Sequence, residues 1–419
     1  MTPRVKGTQD FADMTLFNRV VDAAKTACAM HSFKEVATPI LEHAELFHHS
    51  LGETSDVVTK EMFMIQMRNE EKLPICLRPE LTAPIMRMFM DQSQPNLPWK
   101  VFSYGPTFRY ERPQKGRFRQ FHQFSIEAIG ASSILYDVEL LVLLEKLFSH
   151  TLGLSSFALL INFLGCSDDR VRFSSQLKTF LDQHEHELCP TCKTRKETNM
   201  LRVFDCKESS CQAVYTNAPK TIDFLCETCA VEWQALKDNL EALSVSYSVM
   251  PTLVRGLDYY TKTVFEFSSM LLGAQSAFCG GGRYDRLGEI LGSKQMTPAC
   301  GAGIGIERVM ALLELQKNVR DERTNCIAIA PLDVAQHTLA LLVQDDLRAH
   351  HIPTYIIFDA TGPKQAIKKA DRSAARYAVI LGEDEQKNGC GKLKDMTSGE
   401  EELIVLSQLA QKISSLLKA

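Results

Sequence analysis

Residues Phe108 to Phe124 read FRYERPQKGRFRQFHQF. Arg109, Glu111, Arg112, Lys115, Arg117 and Arg119 are interleaved here with Phe108, Tyr110, Phe118, Phe121 and Phe124. A merely solvated face would not carry aromatics through its charges. The alternation predicts two short strands flanking a turn at Pro113-Gln114-Lys115-Gly116, and so an antiparallel sheet. Such a hairpin holds guanidinium groups over an aromatic floor. Planar Arg forks suit phosphates and an aromatic ring suits a purine face. Two readings stand at this point: a nucleotide triphosphate site, or a salt-bridged surface hairpin.

Outward from the hairpin, the spacing predicts a helix over Met14–Met30, with Leu16, Val20, Val21, Ala24, Ala27 and Cys28 on one face. Phe33–Leu41 is strand-like and turns at Thr38-Pro39, Leu73–Arg78 reads as a strand, and RPELTAP (Arg78–Pro84) opens a helix running through Met90. Trp99–Phe102 continues the sheet, Asp137–Leu152 is an apolar helix, and Phe157–Phe163 is a buried strand. With no strict βαβ alternation, the class is α+β: a mainly antiparallel sheet with flanking helices. From Ser167 to Tyr247 polar helical patterns and six cysteines interrupt the sheet, so we read an insertion at about 167–250. Strands resume at Val264–Phe267 and Ala277–Cys279, and a helix begins near Gly305 and runs to about Gln316. The charged run KNVRDERT (Lys317–Thr324) reads as a linker. Strands and helices then alternate to the end, closing with a hairpin and a final helix at Gln408–Leu417. The expected division is a first domain over 1–323 and a separate α/β domain over 324–419.

The 419 residues are 45% hydrophobic, enough for two or three cores. The formal charge of -4 supplies no global field toward nucleic acid or anionic membrane, so any RNA contact is local. MTPRVKGTQDF lacks the apolar stretch of a signal peptide, and no run is apolar enough to span a membrane. Thirteen cysteines, an odd number with several in apolar runs, read as reduced thiols. These features point to the cytoplasm.

Several constellations carry chemistry. In RPELTAP, Glu80 and Thr82 sit at a strand-to-helix junction, where the carboxylate can bind an ammonium or imidazole N–H, or simply cap the helix. LVRGLDYYTKTVFEF (Leu253–Phe267) places Arg255 ahead of Asp258, Tyr259 and Tyr260: Arg255 meets a phosphate or pairs with Asp258. Two adjacent tyrosines on a strand would face opposite ways, one to a pocket and one to the core. CGGGRYD (Cys279–Asp285) lets a backbone approach a ligand closely. GAGIGIER (Gly301–Arg308) leads into a helix without Rossmann spacing, and Arg308 on its first turn is placed for a phosphate. Cys189-x2-Cys192, Cys206-x4-Cys211 and Cys226-x2-Cys229 offer six candidates for the four positions of a structural zinc, with Cys189, Cys192, Cys226 and Cys229 as the expected ligands; ordinary reduced thiols are the alternative. His48-His49 and His184-x-His186 read as exposed side chains.

In this order, RPELTAP, FRYERPQKGRFRQFHQF, LVRGLDYY with GGGRYD, and GAGIGIER resemble the motifs of class II aminoacyl-tRNA synthetases, and the third pair resembles the signatures of the histidyl-tRNA synthetase family. RVKGTQDF, GETSDVVTKEMF and KDMTSGE add to the likeness, which spans nearly the whole chain. The resemblance implies a class II antiparallel catalytic sheet with a helical insertion, a C-terminal α/β anticodon-binding domain and a homodimer formed through Thr38–Gly52. Here FHHSLGE has His where an Arg is common in the family, and Leu81 replaces a frequent Gly. The resemblance further implies ATP, Mg²⁺, L-histidine and tRNA(His) as ligands. Arg109 and Arg255 would grip the carboxylate and α-phosphate, Arg117 and Arg308 the outer phosphates, Glu111 the adenine amino group and Phe121 the purine face. Glu80 and Tyr260 would hold the imidazole, with Tyr259 beside them, and Thr82, Gln123 and Glu127 the ammonium. Arg112 and Gln114 would reach the acceptor stem. A regulatory paralogue of histidine biosynthesis or an uncharged-tRNA sensor would share the fold, but the former usually lacks the last domain and parts of LVRGLDYY, and the latter an intact ATP site.

Overall fold

The computed structural model describes every residue except 1, 53–54, 56, 67–72, 94, 112–115, 256–258, 317–323, 360–361 and 419. Helix α1 (Thr15–Met30) buries Phe17, Val20, Val21, Ala24 and Cys28, the face its helical spacing marked out. Then come β1 (Lys34–Glu35), β2 (Leu41–His43), α2 (Ala44–Leu51), β3 (Phe63–Ile65), β4 (Ile75–Leu77) and α3 (Thr82–Met90). The hairpin is β5 (Trp99–Phe108) and β6 (Gln120–Ile129), followed by α4 (Leu135–Lys146) and β7 (Ala158–Phe163). The insertion is helical: α5 (Ser167–Gln183), α6 (Pro190–Thr198), α7 (Ser209–Tyr215) and α8 (Glu227–Ala242). The sheet resumes with β8 (Ser248–Val249), β9 (Thr261–Ser268), β10 (Ala277–Arg283), α9 (Leu287–Ile290), β11 (Ala299–Gly305) and α10 (Ile306–Leu315).

Among the described residues the main sheet has eight strands in the order β1-β5-β6-β11-β10-β9-β7-β8. All pairings from β5 to β7 are antiparallel, and only the edge pairs β1/β5 and β7/β8 are parallel. Its two faces divide by side-chain size. Phe124, Ile126, Phe265, Phe267, Phe278, Ala302 and Ile304 join α1, α4 and α10 in one large apolar core. On the strands' alternate positions stand Gln123, Ser125 and Glu127 of β6, with Gly301, Gly303 and Gly305 of β11 as register partners. Burial of the first face fixes the register, because a one-residue slip would turn every large side chain to the other side. The glycine face is thereby left as a floor. A three-stranded sheet, β2-β4-β3, stands apart from it.

The contacts divide the chain into the units Met1–Asn318 and Val319–Ala419. The second contains β12 (Thr324–Pro331), α11 (His337–Ala349), β13 (Thr354–Ile356), α12 (Pro363–Arg372), β14 (Ala375–Leu381), α13 (Glu383–Lys387), β15 (Cys390–Asp395), β16 (Glu401–Val405) and α14 (Leu406–Lys418). Its sheet order is β13-β12-β14-β15-β16, parallel among the first three strands and antiparallel beyond. Ile327, Ile329, Val379, Leu347 and Ile413 meet in its core.

Three local expectations change. The two strands are ten residues each and lie outside the arginine-rich run. Past Phe108 and Gln120 the described backbone soon bonds outside the ladder: Arg109 N–H still donates to Arg119 O at 2.9 Å, but Tyr110 N–H donates to Glu61 O at 2.6 Å and Arg119 N–H to Gly7 O at 2.7 Å. Of the expected turn Pro113-Gln114-Lys115-Gly116, residues 113–115 lie outside the described residues, as does most of the charged linker. Phe33–Leu41 breaks around the expected turn at Thr38-Pro39, but its strand content is shorter than expected: only Lys34–Glu35 pairs before the turn, and Leu41 begins β2. Tyr259 and Tyr260 precede β9 rather than alternate along it; both are buried, with ring centroids 4.6 Å apart, in one apolar cluster with Tyr284.

Candidate active site

Glu127 is fully buried on the glycine face. Its Oε1 accepts hydrogen bonds from Thr82 Oγ1 and Ser125 Oγ, each at 2.7 Å, and its Oε2 accepts one from the Tyr284 hydroxyl. Burial pushes its carboxyl up to about 8, against the pull of those three hydroxyls, and the nearby Glu80 adds to the rise. Glu80 is also raised by burial, opposed by the Ala83 and Thr82 backbone N–H groups and by Arg109. Both of its oxygens accept from α3, from Thr82 N at 2.7 Å and Ala83 N at 2.8 Å. The capping reading of Glu80 is therefore realised, and the bidentate cap fixes the carboxylate beside Glu127.

The glycines make room for these groups. A Cβ on Gly301 would lie 1.6 Å from Glu127 Oε2, one on Gly303 2.2 Å from Gln123 Nε2, and one on Gly280 2.3 Å from an Arg255 nitrogen. Each functional side chain thus lies flat across a neighbouring strand at a position only hydrogen can occupy. Gln123 Oε1 and Arg255 Nε are buried with no hydrogen-bond partner among the described residues. Buried unpaired polar atoms are costly, and their presence here marks a place for a ligand.

Arg255 pairs with Glu266 at 2.8 Å. Burial works against its charge but is outweighed by Tyr260 and Glu266, so the guanidinium is held more firmly than usual. Its expected alternative partner, Asp258, lies outside the described residues. Arg109 Nε donates to Pro79 O at 3.0 Å, and its guanidinium lies 5.4 Å from the Phe121 ring centre. Arg117 pairs with Glu111 at 2.7 Å. Arg308 reaches back from the first turn of α10 to donate to Gly116 O at 3.2 Å and to Ala277 O. Burial lowers its pKa, and the like charges of Arg117 and Arg109 lower it further. Three guanidinium groups that disfavour one another in a half-buried place form a receptor for a polyanion.

These interactions bring eight of the expected binding residues into one neighbourhood: Arg109 acts on Glu80, Glu80 on Glu127, Tyr260 on both carboxylates and on Arg255, and Arg308 on Arg109, Arg117 and Glu111. Sequence reasoning missed Ser125, Tyr284 and Glu266. Each had a signal: Ser125 alternates with Gln123 and Glu127, Tyr284 follows the glycine run in CGGGRYD, and Glu266 is the lone acid of TVFEF. The neighbouring Arg283, 1% exposed, is instead structural, paired to Asp137 and Asp285.

One expected set does not assemble. Cys189, Cys192, Cys226 and Cys229 fall into two separate groups. Cys189 and Cys192 stand with Cys206 and Cys211, whereas Cys226 and Cys229 stand with Cys166 and Asp169. The physical reason is that α6 and α8 start from different corners of the insertion, each held by its own local contacts. His48, His49 and His186 are exposed, and His184 rests on Glu187 at 2.7 Å.

An antiparallel sheet with one glycine-lined face, buried carboxylates at one end of that face and clustered arginines at the other defines the catalytic core of a class II aminoacyl-tRNA synthetase. Residues 12–309 match the family described as Histidyl-tRNA synthetase, and residues 327–416 the family described as Anticodon binding domain. The Histidine--tRNA ligase of Halothermothrix orenii is 39% identical over 95% of both chains. That of Anaeromyxobacter sp. strain K is 41% identical over 98% of this chain and 99% of its own. The crystal structure of apo S. aureus histidyl-tRNA synthetase superposes with a TM-score of 0.78 at 29% identity, covering 99% of this chain and 100% of that one. The chain belongs to the histidyl-tRNA synthetase family.

Proposed function

We propose that this chain activates L-histidine with ATP and transfers it to the 3′ end of tRNA(His). The observation that carries the reading is that one glycine-lined face holds Glu127 against Gly301, Gln123 against Gly303 and Arg255 against Gly280, with Glu80 tied to Glu127 through Thr82. A buried carboxyl ringed by hydroxyls suits the α-ammonium, which Glu127, Thr82 and the unpaired Gln123 oxygen would receive. Glu80 and Tyr260, with Tyr259 packed behind, would take the imidazole. A site that pairs both ring nitrogens leaves buried groups unsatisfied with any other side chain, which can cost on the order of 10⁴-fold in selectivity.

At the other end, Arg117 and Arg308 would hold the β- and γ-phosphates, Phe121 the purine face and Glu111 the adenine amino group. The histidine carboxylate oxygen then attacks the α-phosphorus in line as the bond to the β-phosphate oxygen breaks, giving histidyl-adenylate and pyrophosphate. Charge builds on the non-bridging oxygens, which Arg109 and Arg255 meet from two sides, so catalysis is mainly positioning and electrostatics. Mg²⁺ suits this site as a companion of the nucleotide. The nearby carboxylates Glu111 and Glu266 are already paired with arginines, and Mg²⁺ typically takes phosphate oxygens and keeps waters. When bound it would neutralise phosphate charge. In the second step the terminal 3′-hydroxyl of the tRNA attacks the activated carbonyl and AMP leaves, the proton passing to a phosphate oxygen of the adenylate.

Residues 324–419 would read unstacked anticodon bases. A homodimer is supported by Ile40, Leu41 and Met64, which are exposed on and beside the three-stranded sheet. Cytoplasmic residence is supported by thirteen cysteines outside any disulfide. Among the described residues no helix is long and apolar enough to cross a membrane. Pyrophosphate exchange with each amino acid in turn tests the reading. Exchange with histidine alone is expected; exchange with none, or with another amino acid preferred, overturns it.

A further inference from the structure

Cys189, Cys192, Cys206 and Cys211 have sulfurs that all lie within 4.8 Å of one another. Three are buried and none forms a disulfide. The Cys189 and Cys206 sulfurs are 3.8 Å apart. That is far beyond a disulfide bond of about 2.0 Å. It equals the edge of a tetrahedron, about 3.8 Å, that follows from Zn–S bonds of about 2.3 Å. The backbone sits as a thiolate requires: Cys189 N–H donates to Cys211 Sγ at 3.2 Å. Cys189-Pro190-Thr191-Cys192 enters α6 with Pro in its first turn, so the second sulfur comes from the helix and the first from its cap. Tyr215 is 2% exposed, and its hydroxyl lies beside the Cys192 sulfur, placed to donate to a thiolate there.

The second group, Cys166, Asp169, Cys226 and Cys229, is organised differently. Asp169 already accepts from Cys166 N at 3.1 Å, from Cys226 N at 2.9 Å and from Arg172, and so caps α5. Its carboxylate is committed to backbone donors and a cation.

We propose that Cys189, Cys192, Cys206 and Cys211 bind one structural zinc ion per chain, and that the Asp169 group binds none. Binding releases the thiol protons to solvent and leaves no open coordination position. The ion would tie both ends of the segment 193–205. Within that segment Asn199, Leu201 and Arg202 line a small cavity together with Arg255 and Tyr260. The zinc thereby holds one wall beside the guanidinium assigned to the α-phosphate. The zinc assignment stands apart from the amino-acid-activation reading, because its readouts are metal content and backbone protection.

The full chain is purified without chelator, and its metal content is measured by plasma mass spectrometry. About one zinc per chain is expected, falling below about a tenth in Cys206→Ser and in Cys211→Ser and unchanged in Cys226→Ser. Stripping the wild-type chain with a chelator should raise amide exchange across 193–205, and added Zn²⁺ should restore protection. Cobalt substitution of the same wild-type protein should give the strong visible bands of a tetrahedral thiolate site, which keeps the test valid if a serine variant fails to fold. A metal-free wild-type chain that takes up no cobalt overturns the proposal, as does loss of metal in Cys226→Ser.

Discussion

At the residue scale, Arg255 lies across Gly280 with its Nη1 on Glu266 and its Nε without a partner among the described residues. Lysine would keep the charge and the tie to Glu266 but lose the planar fork. Arg255→Lys should therefore lower histidine-dependent pyrophosphate exchange on the order of 10²-fold, with the circular dichroism spectrum unchanged; exchange near the parent rate would remove Arg255 from the reaction. Glu127 makes a prediction of opposite character. With its carboxyl near 8 it is protonated in the empty site at neutral pH, and a bound ammonium would drive the proton off. Histidine binding should then release about one proton per site at neutral pH, fading as the pH rises through about 8, where the empty site has already lost it. Calorimetry in buffers of different ionisation heat reads this number directly. Glu127→Gln keeps the side-chain shape and should abolish the release; release that persists in this variant assigns the proton to another group.

At the element scale, the paired strands β10 and β11 carry glycines on both faces of the sheet, and these differ in what they protect. A Cβ at Gly281 would meet Gly301 O at 2.1 Å, a backbone atom held in the ladder. At Gly303 it would meet the end of the Gln123 side chain, which can swing away. Gly281→Ala should cost about 3 kcal/mol of stability, seen as a lowered urea midpoint. Gly303→Ala should fold almost normally but raise KM for histidine about tenfold, the worth of one hydrogen bond to a charged group, with KM for ATP unchanged. Equal effects of the two on stability would contradict this division. The same glycines mark the limit of the sequence. Apolar periodicity located α1, α3, α4 and β7 to within a few residues because burial of one face dictates them. The runs GGG and GAGIG carry no such periodicity: their strand identity comes from the partners on either side, so they read as turns or floors. The antiparallel hairpin was legible but its strand ends were not, since alternating Arg and aromatic residues look like a strand even where the backbone bonds outside the ladder.

At the scale of the whole molecule, order and spacing of motifs exposed the arginine and carboxylate ends of the site, but not what joins them. Ser125, Tyr284 and Glu266 act only through neighbours distant in sequence, and the cysteine pairs sorted by fold rather than by interval. The alternation after residue 324 was legible because parallel strands there alternate with helices of ordinary length. The catalytic face, the insertion and both large apolar clusters around the main sheet all fall within Met1–Asn318, while Val319–Ala419 has its own sheet and core. On the assignment proposed above, activation draws its residues from the first unit alone, whereas charging requires a tRNA held in place. A chain ended after Asn318 should keep histidine-dependent pyrophosphate exchange within about threefold of the full chain, while kcat/KM for aminoacylation of tRNA(His) falls on the order of 10²- to 10³-fold, as expected when binding energy from a remote part of the substrate is removed. The loss should appear as raised KM for tRNA together with lowered kcat, and the anticodon loop alone should no longer compete. Loss of exchange in a truncated chain that still melts cooperatively would place part of the activation machinery in the last hundred residues; unchanged aminoacylation would strip that unit of its assigned role.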